Sequence, residues 1–395
     1  MLILEQLKIQ DISCVKNLSI NFNRRLNFIC GSNGIGKTSI LESIAGFFYG
    51  HYTNDNIKKR FSSEAGYCSA TFDFSDTKEI FAYKVDSFHP KEGLTPSINR
   101  LYDVSDEVIF IKTNRDIVYE ELNQIALKNE RGGYQKSEDL KKGLSGKDIK
   151  NWFIQRTLFS KQDNGLSFGK LENLRFATDA FSIVDGRFKY SHLDADRHDI
   201  VISTPSGEIC FEYLSSGFKS CLYLIIGLIK EIDYRFPNVN AREFAGIILI
   251  DEPEIHLHPA WQAKIAGILS SAFKNAQFIC ATHSPHIIQE ASADEVITLE
   301  FDEKSEVRVK ELAHKQYGFK GWTVEEILTD VMGMELPRSS FYISLKNSFY
   351  KALDEGNGVL AGDFYNKLML ALHENNPEKR IIKIDMACFV GGQCD

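Results

Sequence analysis

A chain of 395 residues, 43% hydrophobic and 25% charged, has an ordinary globular composition and enough length for a large core and two or three domains. Its net charge of −8 excludes a basic nucleic-acid coat, so any nucleic-acid contact must come from a local patch. The longest apolar run, residues 221–229, is too short to cross a bilayer, no leader pattern follows Met1, and the eight cysteines are scattered without a C-x-x-C pair. Reduced thiols in a cytoplasmic protein without membrane contact are the resulting expectation.

Taken in order, residues 3–9 and 18–22 alternate apolar and polar side chains as strands do, and residues 26–30 read as a buried strand. That strand runs into Gly31-Ser32-Asn33-Gly34-Ile35-Gly36-Lys37-Thr38, which is G-x-x-x-x-G-K-[ST], followed by apolar residues at helical spacing from Ser39 to Phe48. Strand, glycine loop and helix together make a phosphate-binding loop. Backbone N–H groups around Asn33, Gly34, Gly36 and Ser39 would face phosphate oxygens, Lys37 would reach the β- and γ-phosphates, and the Thr38 hydroxyl would coordinate Mg²⁺.

Residues 66–74 and 79–85 suggest an antiparallel hairpin with Asp76 in its turn, and residues 107–112 another strand. After it, Asn114 and Arg115 are either contacts to Mg²⁺ or γ-phosphate, or a plain loop. Residues 131–175 change character. Arg131, Lys136, Lys141, Lys142, Lys147, Lys150, Arg156, Lys161, Lys170 and Arg175 outnumber the acids, with Trp152, Phe153 and Phe159 interleaved. This reads as an inserted, partly helical arm, either touching nucleic acid or presenting a solvated face.

A hairpin around Pro205-Ser206-Gly207 delivers the chain to Leu214-Ser215-Ser216-Gly217, which opens an apolar helix and makes a second anion site at a helix N-terminus. Residues 246–250 form a buried parallel strand ending in Asp251-Glu252. Adjacent acids there are costly unless neutralised; Asp251 would hold Mg²⁺, and Glu252 would orient the attacking water. His256 and His258 beside Glu254 suggest either a metal site or a structural loop facing a second subunit. The strand at residues 277–281 ends in Thr282-His283, and His283 can hydrogen-bond a γ-phosphate.

These four motifs, in this order, resemble the ABC-type ATPase superfamily. The resemblance implies an α/β fold: a P-loop ATPase head with a mixed sheet and flanking helices, here with a helical insertion and a helical C-terminal region. It also implies that two heads sandwich ATP and Mg²⁺ in a head-to-tail dimer or higher assembly, with Ser215, Ser216 and Gly217 acting on the partner's nucleotide. The stretch from Lys37 to Leu214 is too short for SMC-type coiled-coil arms, and the signature spacing is longer than in transporter ATPases. The wording of residues 252–259 and 281–285 is similar to the OLD-type and RecF-like ATPases of DNA repair and phage defence. Within these it is most like the ATPase subunits of Septu systems, which also occur as retron effectors. That resemblance implies a sensor or regulatory subunit whose partner is a separate HNH nuclease, with nucleic acid met through the complex. One departure is Phe218, where Glu is common.

Two other readings stay open: a RecF-like, ATP-gated DNA clamp, and an OLD-like nuclease. The tail carries no Asp-x-Asp, and Asp194-Ala195-Asp196 lies before the signature as a polar turn. The tail reads as helices. Thr323-Val324-Glu325-Glu326 is a capping box for a helix to Met334, which Pro337 breaks. Phe341, Leu345, Phe349 and Leu353 form one apolar stripe and Phe364, Leu368 and Leu372 a second, burying each other or a partner; residues 381–390 are apolar enough to need a covering surface. The expected organisation is 1–130 and 181–315 as the two parts of the ATPase head, 131–180 as the basic insertion, and 316–395 as the helical C-terminal region.

Overall fold

The computed structural model describes residues 1–49, 57–89, 100–113, 140, 143, 146–163, 165–194, 196–312, 317–335 and 338–391. Asn114, Arg115, Arg131, Lys136, Lys141, Lys142, Ala195 and Pro337 lie outside them. The chain divides into two units, Met1–Gly333 and Met334–Asp395.

The first unit is built on runs of aliphatic residues too apolar to face water on either side. β6 (Val108–Ile111), β10 (Ile247–Asp251) and β11 (Gln277–Ala281) are buried at every position, which only a sheet covered on both faces tolerates. With β3 (Leu26–Gly31), β12 (Val296–Phe301) and β13 (Val307–Val309) they form a six-stranded sheet ordered β13-β12-β3-β11-β10-β6. Neighbours from β12 to β6 run parallel, and β13 is antiparallel to β12. The two-residue period of a strand sends its side chains into two cores. Ile248, Ile250, Phe278, Cys280, Phe28 and Cys30 join one; Ile247, Leu249, Ile279, Ala281 and Ile29 join the other.

The second core is shared with α1 (Lys37–Ala45) and a four-stranded antiparallel sheet, β2-β1-β4-β5, made of β1 (Leu2–Ile12), β2 (Val15–Asn21), β4 (Gly66–Phe74) and β5 (Thr77–Val85). The β4–β5 turn holds Ser75 at φ 52° and Asp76 at φ 76°, the left-handed pair that a two-residue hairpin turn requires.

The first core is shared with helices. α2 (Gly146–Phe159) and α3 (Phe168–Val184) pack with α4 (Ser216–Arg235), α5 (Pro259–Ala272) and α6 (Pro285–Glu290), beside a third sheet of β7 (Lys189–Asp194), β8 (Asp199–Thr204) and β9 (Gly207–Cys210). Over the described residues from 146 on, this corrects the reading of 131–175 as an aromatic arm open to a ligand or to solvent: Trp152 and Phe153 are fully buried. Counting charges does not reveal that the helix carrying Lys150 and Arg156 turns its aromatic face inward. Asp233 of α4 locks the three helices. Trp152 Nε1 donates to its Oδ2 at 2.9 Å, Arg156 Nε and Nη2 donate to the same oxygen at 2.9 and 2.7 Å, and Asn173 Nδ2 donates to Oδ1 at 2.9 Å. Asp233→Ala would leave a buried guanidinium without its counter-charge. Such a loss costs about 3–5 kcal/mol, and the expected result is a markedly lower urea midpoint, read by circular dichroism.

Near the end of this unit the capping box at Thr323 forms, but only one helical turn, Val324–Glu326, follows before a π-helix, Ile327–Val331. Gly333, at φ 69°, ends it.

The second unit holds α7 (Ser340–Asp354), α8 (Gly358–Ala371) and α9 (Glu378–Gly391). Leu345 and Phe349 of the first expected stripe and Leu368 and Leu372 of the second bury one another with Tyr342. Ile382 of α9 completes this small core, so the apolar run at 381–390 is in part a third core helix; Ile381, Ile384 and Val390 stay exposed. Glu378 accepts hydrogen bonds from Tyr342, Arg338 and Lys346.

Candidate nucleotide-binding site

β3 ends in the glycine loop, and the backbone there explains its composition. Gly31 sits at φ 146° and Gly36 at φ 99°, and a Cβ would come within 2.5 Å of the Leu299 carbonyl oxygen at the first and 2.8 Å of Cys14 Sγ at the second. Neither position takes a side chain without displacing its neighbours. Gly34, at φ 77°, bends the exposed tip beside Asn33. Gly36 caps α1, whose first turn carries no acidic residue. The N–H groups of Lys37, Thr38 and Ser39 therefore open the helix, and the positive end of its dipole is left for an anion. Lys37 is buried, and its Nζ donates to the carbonyls of Gly31 at 2.8 Å and Ser32 at 2.9 Å. Burial pulls its pKa below the ordinary lysine value, opposed by the electrostatic influence of Cys30 and of the carboxylates of Glu252, Asp251 and Glu254.

Three carboxylates cluster at the C-terminal end of β10: Asp251 as its last residue, and Glu252 and Glu254 just beyond it. Thr38 Oγ1 donates to Asp251 Oδ2 at 3.0 Å and Oδ1 at 3.2 Å, so hydroxyl and carboxylate already share one spot. Glu252 is half-buried at φ 50°, and its N–H donates to the Ala281 carbonyl at 2.9 Å. A left-handed glutamate is an uncommon, strained conformation that tertiary contacts must enforce. Glu254 accepts from Thr282 Oγ1 at 2.9 Å and from the His283 N–H at 2.5 Å. Burial raises the Glu254 pKa, while those hydrogen bonds pull it back. Sequence reasoning treated Glu254 only as a neighbour of the histidines. The available signal was its place one turn after Asp251, on the same edge as the chain leaving β11. The His283 ring is exposed; partial desolvation and the Lys37 charge lower its pKa, with Glu252 opposing, and this favours a neutral imidazole. Ser284 Oγ donates to Gln262 Oε1 at 2.7 Å, and Gln262 Nε2 donates to the Leu257 carbonyl at 2.9 Å, tying the two segments together.

His258 caps α5, its Nδ1 accepting the Ala260 N–H at 3.3 Å, and His256 turns the loop at φ 63°. At the signature, Ser215 caps α4 by accepting the Phe218 N–H at 3.4 Å. Ser215 and Ser216 are exposed, and Gly217 is buried. Phe218 packs on Phe188 and Trp261, with ring centroids 4.6 and 5.9 Å away. The structure therefore brings together Lys37, Thr38, Asp251, Glu252 and His283, with Asn33, Gly34, Gly36 and Ser39 around them. Among the described residues, no hydrogen bond joins Ser215 or Ser216 to that group.

Chain comparisons agree with this architecture. Residues 6–190 match a family model described as "AAA domain", and residues 152–289 one described as "AAA domain, putative AbiEii toxin, Type IV TA system". The SmcHead bound to the C-winged helix domain of ScpA shares the fold, with a TM-score of 0.51 at 16% identity over 79% of this chain and 98% of that one. "Retron Ec83 probable ATPase" of Escherichia coli is 36% identical over 107 residues, 27% of this chain and 20% of the relative. "Septu protein PtuA" of Bacillus thuringiensis is 42% identical over 393 residues, 98% of this chain and 99% of that protein. With its motifs in ABC order on one α/β head and that identity from end to end, this chain belongs to the Septu PtuA family and carries an ABC-type ATPase head.

Proposed function

We propose that this chain binds ATP with Mg²⁺ and hydrolyses it as paired heads, and that it serves as the sensor and regulatory subunit of an anti-phage complex whose DNA-cutting subunit is a separate HNH nuclease. The observation that carries the catalytic part is the convergence of Lys37, Thr38, Asp251, Glu252 and His283 at the ends of β3, β10 and β11. Ligands of open parallel sheets bind at such strand ends.

The donor set fits a magnesium nucleotide. The loop carries three glycines at positive φ and a buried ammonium, and the Thr38 hydroxyl already contacts the Asp251 carboxylate. Thr38 and Asp251 would hold the ion, which supplies neutralising charge for the β- and γ-phosphate oxygens. Lys37 and the first N–H groups of α1 would hold the phosphates. Glu252 would accept a hydrogen bond from the attacking water, and the neutral His283 ring would donate to a γ-phosphate oxygen. Glu254 would keep His283 in place through its backbone N–H. Ser215 and Ser216, exposed at the N-terminus of α4, and Gly217 just beneath the surface suit a role on the nucleotide of a second protomer. Nucleic acid would be met through the complex.

Affinity purification of the chain from cells carrying its native locus tests the assembly. The expected result is a small HNH protein in fixed ratio. Recovery of the chain alone, as a dimer that binds DNA, would replace the nuclease partner with a repair-clamp role.

A further inference from the structure

Lys150 of α2 is buried between two carboxylates. Its Nζ donates to Asp199 Oδ1 at 2.7 Å and to Glu212 Oε1 at 2.5 Å. The three side chains are 7, 9 and 11% exposed. Asp199 opens β8, while Glu212 lies in the turn Phe211–Tyr213, three residues before Ser215. Lys219, on the first turn of α4, donates from Nζ to the Glu212 carbonyl at 2.9 Å. Phe211, packed on Phe181, and buried Leu214 fasten the apolar side of the turn, and Lys150 and Lys219 hold its polar side. Ser215 and Ser216 are exposed, Tyr213 is 80% exposed, and Glu212 Oε2 is buried without a hydrogen-bond partner among the described residues.

We propose that Lys150, acting through Glu212, is a positioning residue for the signature serines: it fixes the turn that presents Ser215 and Ser216 to a second copy of this chain. This rests on the paired-head reading above. A hydroxyl that completes a neighbour's phosphate site must be placed to within a fraction of an ångström, because small misplacements forfeit large parts of the rate. A buried lysine between two acids is a poor source of net stability, since desolvation offsets most of the attraction. The helix bearing Lys150 is already joined to α4 through Trp152, Arg156 and Asp233, so the helices do not need this ion pair to stay together. Its two partners lie on the sheet and turn that lead into the signature. Burial works against the Lys150 charge, but the hydrogen bonds to Asp199 and Glu212 outweigh it and the pKa stands above the ordinary lysine value.

The test compares Lys150→Met and Lys150→Arg in the full chain. It uses three readings: the dissociation constant of a fluorescent ATP analogue, steady-state kcat and KM, and ATP-driven dimerisation by sedimentation in a Glu252→Gln background. For Lys150→Met, nucleotide affinity should stay within about twofold, while kcat and ATP-driven dimerisation each fall about tenfold. Lys150→Arg should recover most of the loss, because a guanidinium also spans two carboxylates. If Lys150→Met does not fold, Glu212→Gln, which leaves Lys150 paired with Asp199, should show the same division between kcat and nucleotide affinity. Unchanged kcat and dimerisation overturn the role, as does a loss of nucleotide affinity in step with kcat. A Glu252→Gln parent that stays monomeric in ATP overturns the paired-head reading and this role together, whereas dimerisation that persists in both parent and variant overturns the positioning role alone.

Discussion

Replacing Glu252 by Gln should lower the rate of ATP hydrolysis by about 10³-fold or more, equivalent to about 4 kcal/mol of transition-state stabilisation. The change keeps the shape of the side chain and removes its charge. The backbone at φ 50° and the N–H to Ala281 do not depend on the carboxylate, so the variant should fold and melt as the parent does. What it loses is the anionic acceptor that would orient and polarise water beside the γ-phosphate. Nucleotide binding, on the proposed reading, would rely on Lys37, Thr38 and the glycine loop and should persist. ATP-held dimers should therefore accumulate, visible by sedimentation, while phosphate release by a coupled assay falls to background. Hydrolysis at the parental rate would remove Glu252 from the role and point to another acceptor among the carboxylates at the C-terminal end of β10.

Lys37→Ala should abolish nucleotide binding at working concentrations, with affinity for a fluorescent ATP analogue reduced at least about 100-fold. Two charge-assisted hydrogen bonds to phosphate, at about 1.5–3 kcal/mol each, account for that size. The electrostatics sharpen the effect. Asp251, Glu252 and Glu254 all act on the Lys37 ammonium; without it they would face an incoming polyphosphate with no fixed cation from the loop. The Gly31 and Ser32 carbonyls that accept from Nζ at 2.8 and 2.9 Å would also lose that donor. Titration of the variant and the parent under the same salt and Mg²⁺ would read the difference. Binding within a few-fold of the parent would show that the loop backbone alone holds the phosphates.

Much of this site is local in sequence and was readable there. A glycine loop between a buried strand and an apolar helix needs only neighbouring residues to define it, and β3, Gly31 to Lys37 and α1 form as the spacing predicts. The same holds for Ile247 to Asp251, whose unbroken aliphatic run demands a doubly covered strand with its acids at the C-terminal end, and for the striped helices after Ser340, where only Phe341 of the first stripe stands exposed. Chain order of the motifs was enough to identify the ATPase head.

Other features depend on which distant side chains meet, and the sequence carries no such record. Charge counting made residues 131–175 a basic arm; folding put Trp152 and Phe153 in the core, bound Arg156 to Asp233 and bound Lys150 to Asp199 and Glu212. The pattern of apolar residues there is weak, because polar side chains on the same helix are buried in pairs rather than exposed. Glu254 reads as one more acid until the strand order places β11 beside β10 and brings the His283 N–H to its carboxylate. The sequence marks Glu252 as an acid beside Asp251 but not its left-handed backbone, which appears only where the Ala281 carbonyl accepts its N–H. Local spacing determined where phosphate chemistry could occur. Only tertiary structure, through burial and hydrogen bonds between residues far apart in the chain, decided which carboxylates, lysines and aromatics gather at the strand ends beside the glycine loop and which hold the scaffold around it.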